Sequence, residues 1–382
     1  MAAPEPPEPF SLIGGPLHQL GRRLGLVRGT NTVLIGLTLG IGLWLLILGL
    51  AIAQGLADRL FDMSVVAVHA RLLLVIPLFF VCESWVGPRM TAFVVTIART
   101  GVVPAAERAS LNAAVACTRR LTTAWLPEAA CLVAAIAFEL TGSGLQRYGA
   151  TGAYDPARTA VAALVYFRAG MTLFRFLLFR GVWKLAIWCW FLWRVSRLDL
   201  RLIPGHPDRA GGLGPLEGVH ERFTPLVAAL SVLESASLAE SISTGTLAPT
   251  AIYPWLTMVL LVDGVLFLGP LLVFTDKLWE ARTRGVGLYS GLAARYVTEF
   301  EAKWTSGNVP QGAELLGTPD IQSMADLANA VAIVKGMRWI TVGPRLLTMV
   351  TMAAIVPLAP LLLFRYPIAD LAEKFFSRLI GL

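Results

Sequence analysis

The sequence predicts an all-α, polytopic membrane protein with about seven transmembrane helices and a small cytoplasmic helical layer. Three observations carry this reading. Of 382 residues, 56% are hydrophobic and 15% charged, whereas soluble domains carry roughly a quarter charged. Apolar runs recur that are long enough to cross a bilayer, which needs roughly 20 residues. Arginine-rich stretches alternate with those runs, as the positive-inside rule requires.

The formal charge of +7 is divided among short stretches beside the apolar runs, with no interleaved aromatic platform for bases. The implied partner is therefore the lipid bilayer and not nucleic acid. Cys82, Cys117, Cys131 and Cys189 lie within or beside apolar segments without Cys-x-x-Cys spacing, which predicts free thiols.

Residues 1–30 read as a cytoplasmic N-terminus, of which 1–9 are too rich in proline and glutamate to bury a core. Arg22, Arg23 and Arg28 precede a first span at 32–53. Its run of about 22 apolar residues exceeds a signal-peptide core, so an uncleaved anchor is expected. A membrane domain at 31–275 continues with spans at 64–86, 121–140, 171–193, 223–243 and 254–275. Cytoplasmic loops fall at 87–120 and 194–222, and an outer loop holds Tyr148, Tyr154 and Pro156. Trp183, Trp188, Trp190 and Trp193 crowd the far end of the 171–193 run as an aromatic belt.

A cytoplasmic helical segment follows at 276–339. Within it Tyr289, Leu292, Ala293, Tyr296, Val297, Phe300 and Trp304 share one helical face, and Arg295, Glu299 and Lys303 ladder its flank. A second helix starts at Thr318-Pro319-Asp320, with Thr as N-cap and Pro at its first position. The last span, 340–364, holds Pro344, Pro357 and Pro360 and should kink; an amphipathic tail at 370–382 ends the chain.

Counted inward from the cytoplasmic ends of their spans, Arg180, Glu234 and Asp263 share a level near mid-bilayer, with Lys184 about one turn closer to the cytosol. A lone charge there costs about 2.5–3.5 kcal/mol on insertion scales. The four are expected to form one buried cluster, either a binding or proton-handling site or a structural network. Arg175 and Glu240 share a depth nearer the outer face and are expected to pair, while Glu83 and Glu139 lie close to span ends and receive no role.

In the cytoplasmic loop, Pro204-Gly205 and Gly211-Gly212 predict tight turns with Asp208 as a backbone acceptor. Gly211 and Gly212 beside Arg209 also form a possible anion nest. His206, Asp208, Glu217, His220 and Glu221 lack the spacing of a known metal site. No metal, cofactor or catalytic residue is implied.

The segments His206-Pro207-Asp208-Arg209-Ala210-Gly211-Gly212-Leu213, Gly269 to Gly285, and Leu315-Leu316-Gly317-Thr318-Pro319-Asp320-Ile321-Gln322-Ser323-Met324-Ala325-Asp326-Leu327 resemble uncharacterised bacterial multi-pass membrane proteins. The resemblance covers roughly the C-terminal half and implies the class, in a bacterial inner membrane, without an activity. The functional expectation is a non-catalytic scaffold or sensor with a protein partner or homo-oligomer through its cytoplasmic helices. The alternatives are a transporter or channel using the charged cluster, and an enzyme built around the His206 loop.

Overall fold

The computed structural model describes residues 14–27, 29–140, 161–305 and 319–365. Expectations for residues 1–9, Arg28, Tyr148, Tyr154, Pro156, Thr318 and residues 370–382 lie outside those described. The described chain is helical, and six helices are long and apolar enough to cross a membrane, or seven when a pair bent by 44° counts as one span. In chain order the main helices are α1 (Pro16–Arg23), α2 (Val33–Ala53), α3 (Met63–Arg99), the bent pair α4 (Ala105–Thr123) and α5 (Trp125–Leu140), and α6 (Val161–Ser196). Then come α7 (Gly214–Ser243), α8 (Ile252–Trp304), the polar α9 (Pro319–Lys335) and α10 (Pro344–Phe364).

The contacts between helices define a common level. At the start of α2, the Thr32 N–H donates to Ser84 Oγ at 2.9 Å and Thr32 Oγ1 to the Phe80 carbonyl at 3.2 Å. The beginning of the α2 apolar run therefore sits beside the middle of α3. The Cys82 thiol lies 3.8 Å from the Arg222 carbonyl, and Arg345 pairs with Glu221 at 3.2 Å, which brings α7 and α10 to the same level. From there to their opposite ends α2, α3, α7 and α10 each run for roughly 20 residues, about 30 Å, the thickness of a bilayer's hydrocarbon core.

Beyond that level α3 and α6 continue as helix and build a second layer. Their far halves pack with α4, the 203–214 loop, α7 and the start of the polar half of α8 around Phe93, Trp188, Phe191, Leu216 and Phe274. Each such phenylalanine or leucine contributes about 1.5–3 kcal/mol by leaving water. Of the aromatic belt expected at Trp183, Trp188, Trp190 and Trp193, Trp188 lies in this core, and Trp183 and Trp190 are half-buried. Trp188 is fully buried against Phe93 and Phe191, and only Trp193 of the four is exposed.

Close approach of α2 and α3 depends on Gly36 and Gly40, one turn apart on one face of α2. A Cβ on Gly40 would collide with the Leu72 carbonyl, and one on Gly36 would meet the Phe80 ring at 2.8 Å. Small residues at this spacing let helix backbones pack tightly where lipid offers no hydrophobic drive for association. In α10, Pro344 stands at the first turn and the helix tightens to a 3₁₀ turn over Val356–Leu361, which contains Pro357 and Pro360.

Candidate functional site

Arg180 is the centre of a closed four-residue network. Its Nη1 and Nη2 donate to the two oxygens of Glu83 on α3, at 2.7 and 3.0 Å, and its Nε donates to Glu128 Oε1 on α5 at 2.8 Å. Lys184, one turn further along α6, reaches Glu83 Oε1 at 2.5 Å. Two carboxylates and two cations balance, and the fork of the guanidinium matches the Glu83 carboxylate in two parallel bonds. Beside the network lies a cavity of about 70 Å³, lined by Glu83, Arg180 and Lys184 and by apolar residues including Phe223 and Leu226. That is room for a few water molecules.

Glu128 also ties the N-terminal helix to the bundle. Its Oε2 accepts the Leu17 N–H of α1 at 3.1 Å, placing a carboxylate at the positive end of that helix. Gly15 makes the approach possible: its φ of 95° belongs to glycine, and a Cβ there would collide with Glu128.

The expected cluster of Arg180, Lys184, Glu234 and Asp263 is thus divided. Arg180 bonds to Glu83 and Glu128 and Lys184 to Glu83, whereas Glu234 lies in the field of Arg71 and Asp263 beside Ser231. The miscount arises because α6 runs on from Arg180 to Ser196 and packs that stretch into the second layer, so the end of its apolar run is a poor origin for counting depth. Counting from the opposite ends, Met63 for α3 and Val161 for α6, brings Glu83 and Arg180 to one level. The pair expected between Arg175 and Glu240 is also corrected, since Arg175 forms its ion pair with Glu139 and lies 5.5 Å over the Phe138 ring.

The cation that sequence reasoning misses inside the slab is Arg71. Buried on α3, it donates from Nη1 to the Tyr166 hydroxyl at 2.7 Å and from Nη2 to Ser237 Oγ at 3.3 Å, and its field reaches Glu234 and Glu240. Asp263, also buried, lies beside Ser231, yet Asp263 Oδ2 and Ser231 Oγ each lack a hydrogen bond of normal geometry among the described residues. Arg71 and Tyr166 each sit in a π-helical turn, Ala70–Val75 and Tyr166–Gly170, and Asp263 directly precedes a third, Gly264–Leu268. Such turns loosen the backbone ladder and recur at functional sites.

Two histidines are locked by indoles. The Trp188 Nε1–H donates to His220 Nε2 at 3.2 Å, leaving Nδ1 to donate to the Phe267 carbonyl at 2.7 Å in the third π-helical turn. The Trp44 Nε1–H donates to His69 Nδ1 at 2.9 Å, with His69 Nε2 2.7 Å from the Leu60 carbonyl. Each ring nitrogen has one partner, so the tautomers are fixed by the network. His220 consequently belongs to the buried core and not to a ligand set.

The 203–214 loop folds around Asp208. The carboxylate accepts the N–H groups of Ala210 at 2.8 Å, Gly212 at 3.0 Å and Gly214 at 2.8 Å, with His206 Nδ1 2.8 Å away. Burial pushes this carboxyl up, but the donors of Ala210, Gly214, Gly212 and His206 outweigh it and hold the group below the usual carboxylate range. The expected turn and backbone-acceptor role are present. The anion nest is corrected: the Gly212 N–H already has its anion, Asp208, and Gly211 and Gly212 are both buried. Arg209 instead takes φ 53° and offers its carbonyl to the Arg338 N–H at 2.7 Å, while Arg338 pairs with Glu217 at 2.9 Å.

The polar half of α8, Thr275–Trp304, forms an arm with α9. Asp320 joins their ends, accepting from Lys303 Nζ at 2.7 Å and Trp304 Nε1 at 3.0 Å, while its carbonyl accepts the Tyr296 hydroxyl at 3.0 Å. Lys303 therefore reaches Asp320 and not Glu299. At the base of the arm Arg282 donates to the Lys335 carbonyl at 3.2 Å and Trp279 meets Trp339 edge to face.

Among the described residues no group of three or more His, Cys, Asp or Glu side chains is gathered to hold a metal ion. The class these features define is an all-helical, multi-pass membrane protein with a charge-balanced joint between its spans and a paired-helix arm at one end. Comparison with protein-family models, curated proteins and solved structures finds no match.

Proposed function

We propose that the chain is a non-catalytic scaffold or sensor of a bacterial inner membrane, with its N-terminus in the cytoplasm, presenting the α8–α9 arm to a protein partner or to a second copy. One observation carries the reading: α8 runs from the far end of the bundle into the arm over Ile252–Trp304, as α-helix, a π-helical turn at Gly264–Leu268, a 3₁₀ stretch at Gly269–Phe274 and α-helix again. A helix continuous across the boundary links the arm mechanically to the spans. Arg22, Arg23, Arg89, Arg99, Arg194, Arg197 and Arg201 gather at the arm's end of the bundle, which supports a cytoplasmic arm by the positive-inside rule. The closed Arg180 network favours a structural joint, because each of its charges already has a partner.

The test places a photocrosslinking amino acid at the exposed arm residues Leu288 and Leu292 and, as a control, at the exposed Leu45 of α2. Discrete protein adducts from the arm positions and none from Leu45 fit a scaffold. Adducts no different from those at Leu45 contradict it.

Transport is the second reading, favoured by the π-helical turns that hold Arg71 and Tyr166 and follow Asp263. Proteoliposome flux that is abolished by Asp263→Asn supports it; tight vesicles with no flux across the common inorganic ions and protons support the scaffold.

A further inference from the structure

The short helix α1 is docked on the bundle by a small set of contacts. The Leu17 N–H donates to Glu128, the Leu17 side chain packs against the core that contains Ile35 and Phe80, and a Cβ on Gly21 would collide with Ile35. Gln19, Leu20, Arg22 and Arg23 of the same helix are exposed. His18 sits beside the docking contacts, half-buried, in the field of the Arg180 network.

The charges around His18 leave no place for another cation. Glu83 on α3, Lys184 and Arg180 on α6 and Arg22 on α1 itself act on the ring, and Glu128 on α5 holds the neighbouring Leu17 N–H. The two carboxylates already serve Arg180 and Lys184, so a proton on His18 would be a surplus charge beside a balanced set.

Hydrogen bonding points the same way. His18 Nδ1 is buried and has no hydrogen-bond partner among the described residues. A neutral ring tolerates this by leaving Nδ1 bare, with its proton on Nε2. The imidazolium carries an N–H on both nitrogens and would bury a donor without an acceptor. Burial, the largest effect, pushes the ring below the usual histidine range; Glu83 pulls it up, and burial with Lys184, Arg22 and Arg180 outweighs that pull.

We propose that His18 is a proton-operated latch on α1: the neutral ring keeps the helix docked against Glu128 and Ile35, and uptake of a proton at Nδ1 releases it from the bundle. The direction follows from linkage. Docking is complete above the ordinary histidine value of about 6.5 and is lost as pH falls through the lower value of the docked ring.

Hydrogen exchange at residues 16–23 of the full-length protein in detergent tests this between about pH 8 and about pH 5, with each rate divided by the intrinsic rate at that pH. Wild-type protection should be steady above about pH 6.5 and then fall by up to about tenfold per pH unit below the docked value. Residues 90–98 of α3 should stay protected throughout. His18→Gln, neutral at every pH, should hold residues 16–23 protected, and His18→Arg, charged at every pH, should leave them open even at neutral pH. A histidine NMR resonance that disappears in His18→Gln gives a second reading that needs no docked variant, and it should titrate below about 6.5. Wild-type protection that ignores pH, the same acid loss in His18→Gln, equal loss in α3, or a His18 resonance titrating at or above about 6.5 each overturns the proposal.

Discussion

The Thr32 N–H donates to Ser84 Oγ at 2.9 Å, and this bond sets the depth of everything around it. Ser84 follows Glu83, so the Arg180 network lies where the apolar run of α2 begins. A spin label at the exposed Trp85 should therefore contact a water-soluble relaxing agent, and one at the exposed Leu74 should contact dissolved oxygen. The two positions differ in depth by about 16 Å along the helix. Equal oxygen exposure at both would move the network into mid-membrane.

Helix proximity at Gly40 gives a second prediction. Gly40→Val should lower stability by about 1–3 kcal/mol through overpacking against the Leu72 backbone. Gly42→Ala, with nothing within 4 Å of the added carbon, should be near neutral. Thermal unfolding in detergent measures both, and equal effects would refute the α2–α3 packing.

Asp208 gives a pH dependence with a defined sign. Its carboxyl is held below the usual range in the folded protein, so its contribution is fully present above the unfolded value of about 3.9 and is lost as pH falls through the folded one. Tryptophan-fluorescence melts should show this contribution steady down to about pH 4 and declining below it. Asp208→Asn should be less stable by roughly 1–3 kcal/mol at neutral pH, with a flatter acid response, because one amide cannot accept every donor around it. A wild-type acid profile identical to that of the variant would show that Asp208 does not organise the loop.

At the tip of the arm, Asp320→Ala should free the α9 end from Lys303 and Trp304. Hydrogen exchange should quicken at residues 320–324 and stay unchanged in α3. Uniform exchange across the protein, before and after the substitution, would argue against an arm fastened at that point.

The helical class and the recurrence of apolar spans are legible in the sequence because apolar length is a local property. The partners of Arg180 are not. Their identity depends on where the slab ends within helices that continue past it, and an apolar helix in a second layer reads much like one in lipid. Arg71 was within reach, as a lone arginine in an otherwise apolar stretch of α3. Its bonds to Tyr166 and Ser237 depend on helix rotations that periodicity does not fix in segments buried on several sides. The Asp208 loop was partly legible, since turn residues and a backbone-bonding aspartate are local signals; the sealing of its glycines from solvent was not.

The most direct test of a structural joint at Arg180 is a double-mutant cycle with Glu83→Gln and Arg180→Met. Removing either partner alone should destabilise the protein by about 3–5 kcal/mol, because the other is left as a buried charge short of its main partner. The double variant keeps Glu128 and Lys184 as a balanced pair and should lose less than the sum of the single losses, by about 1–3 kcal/mol. Additive losses within about 0.5 kcal/mol would contradict the account.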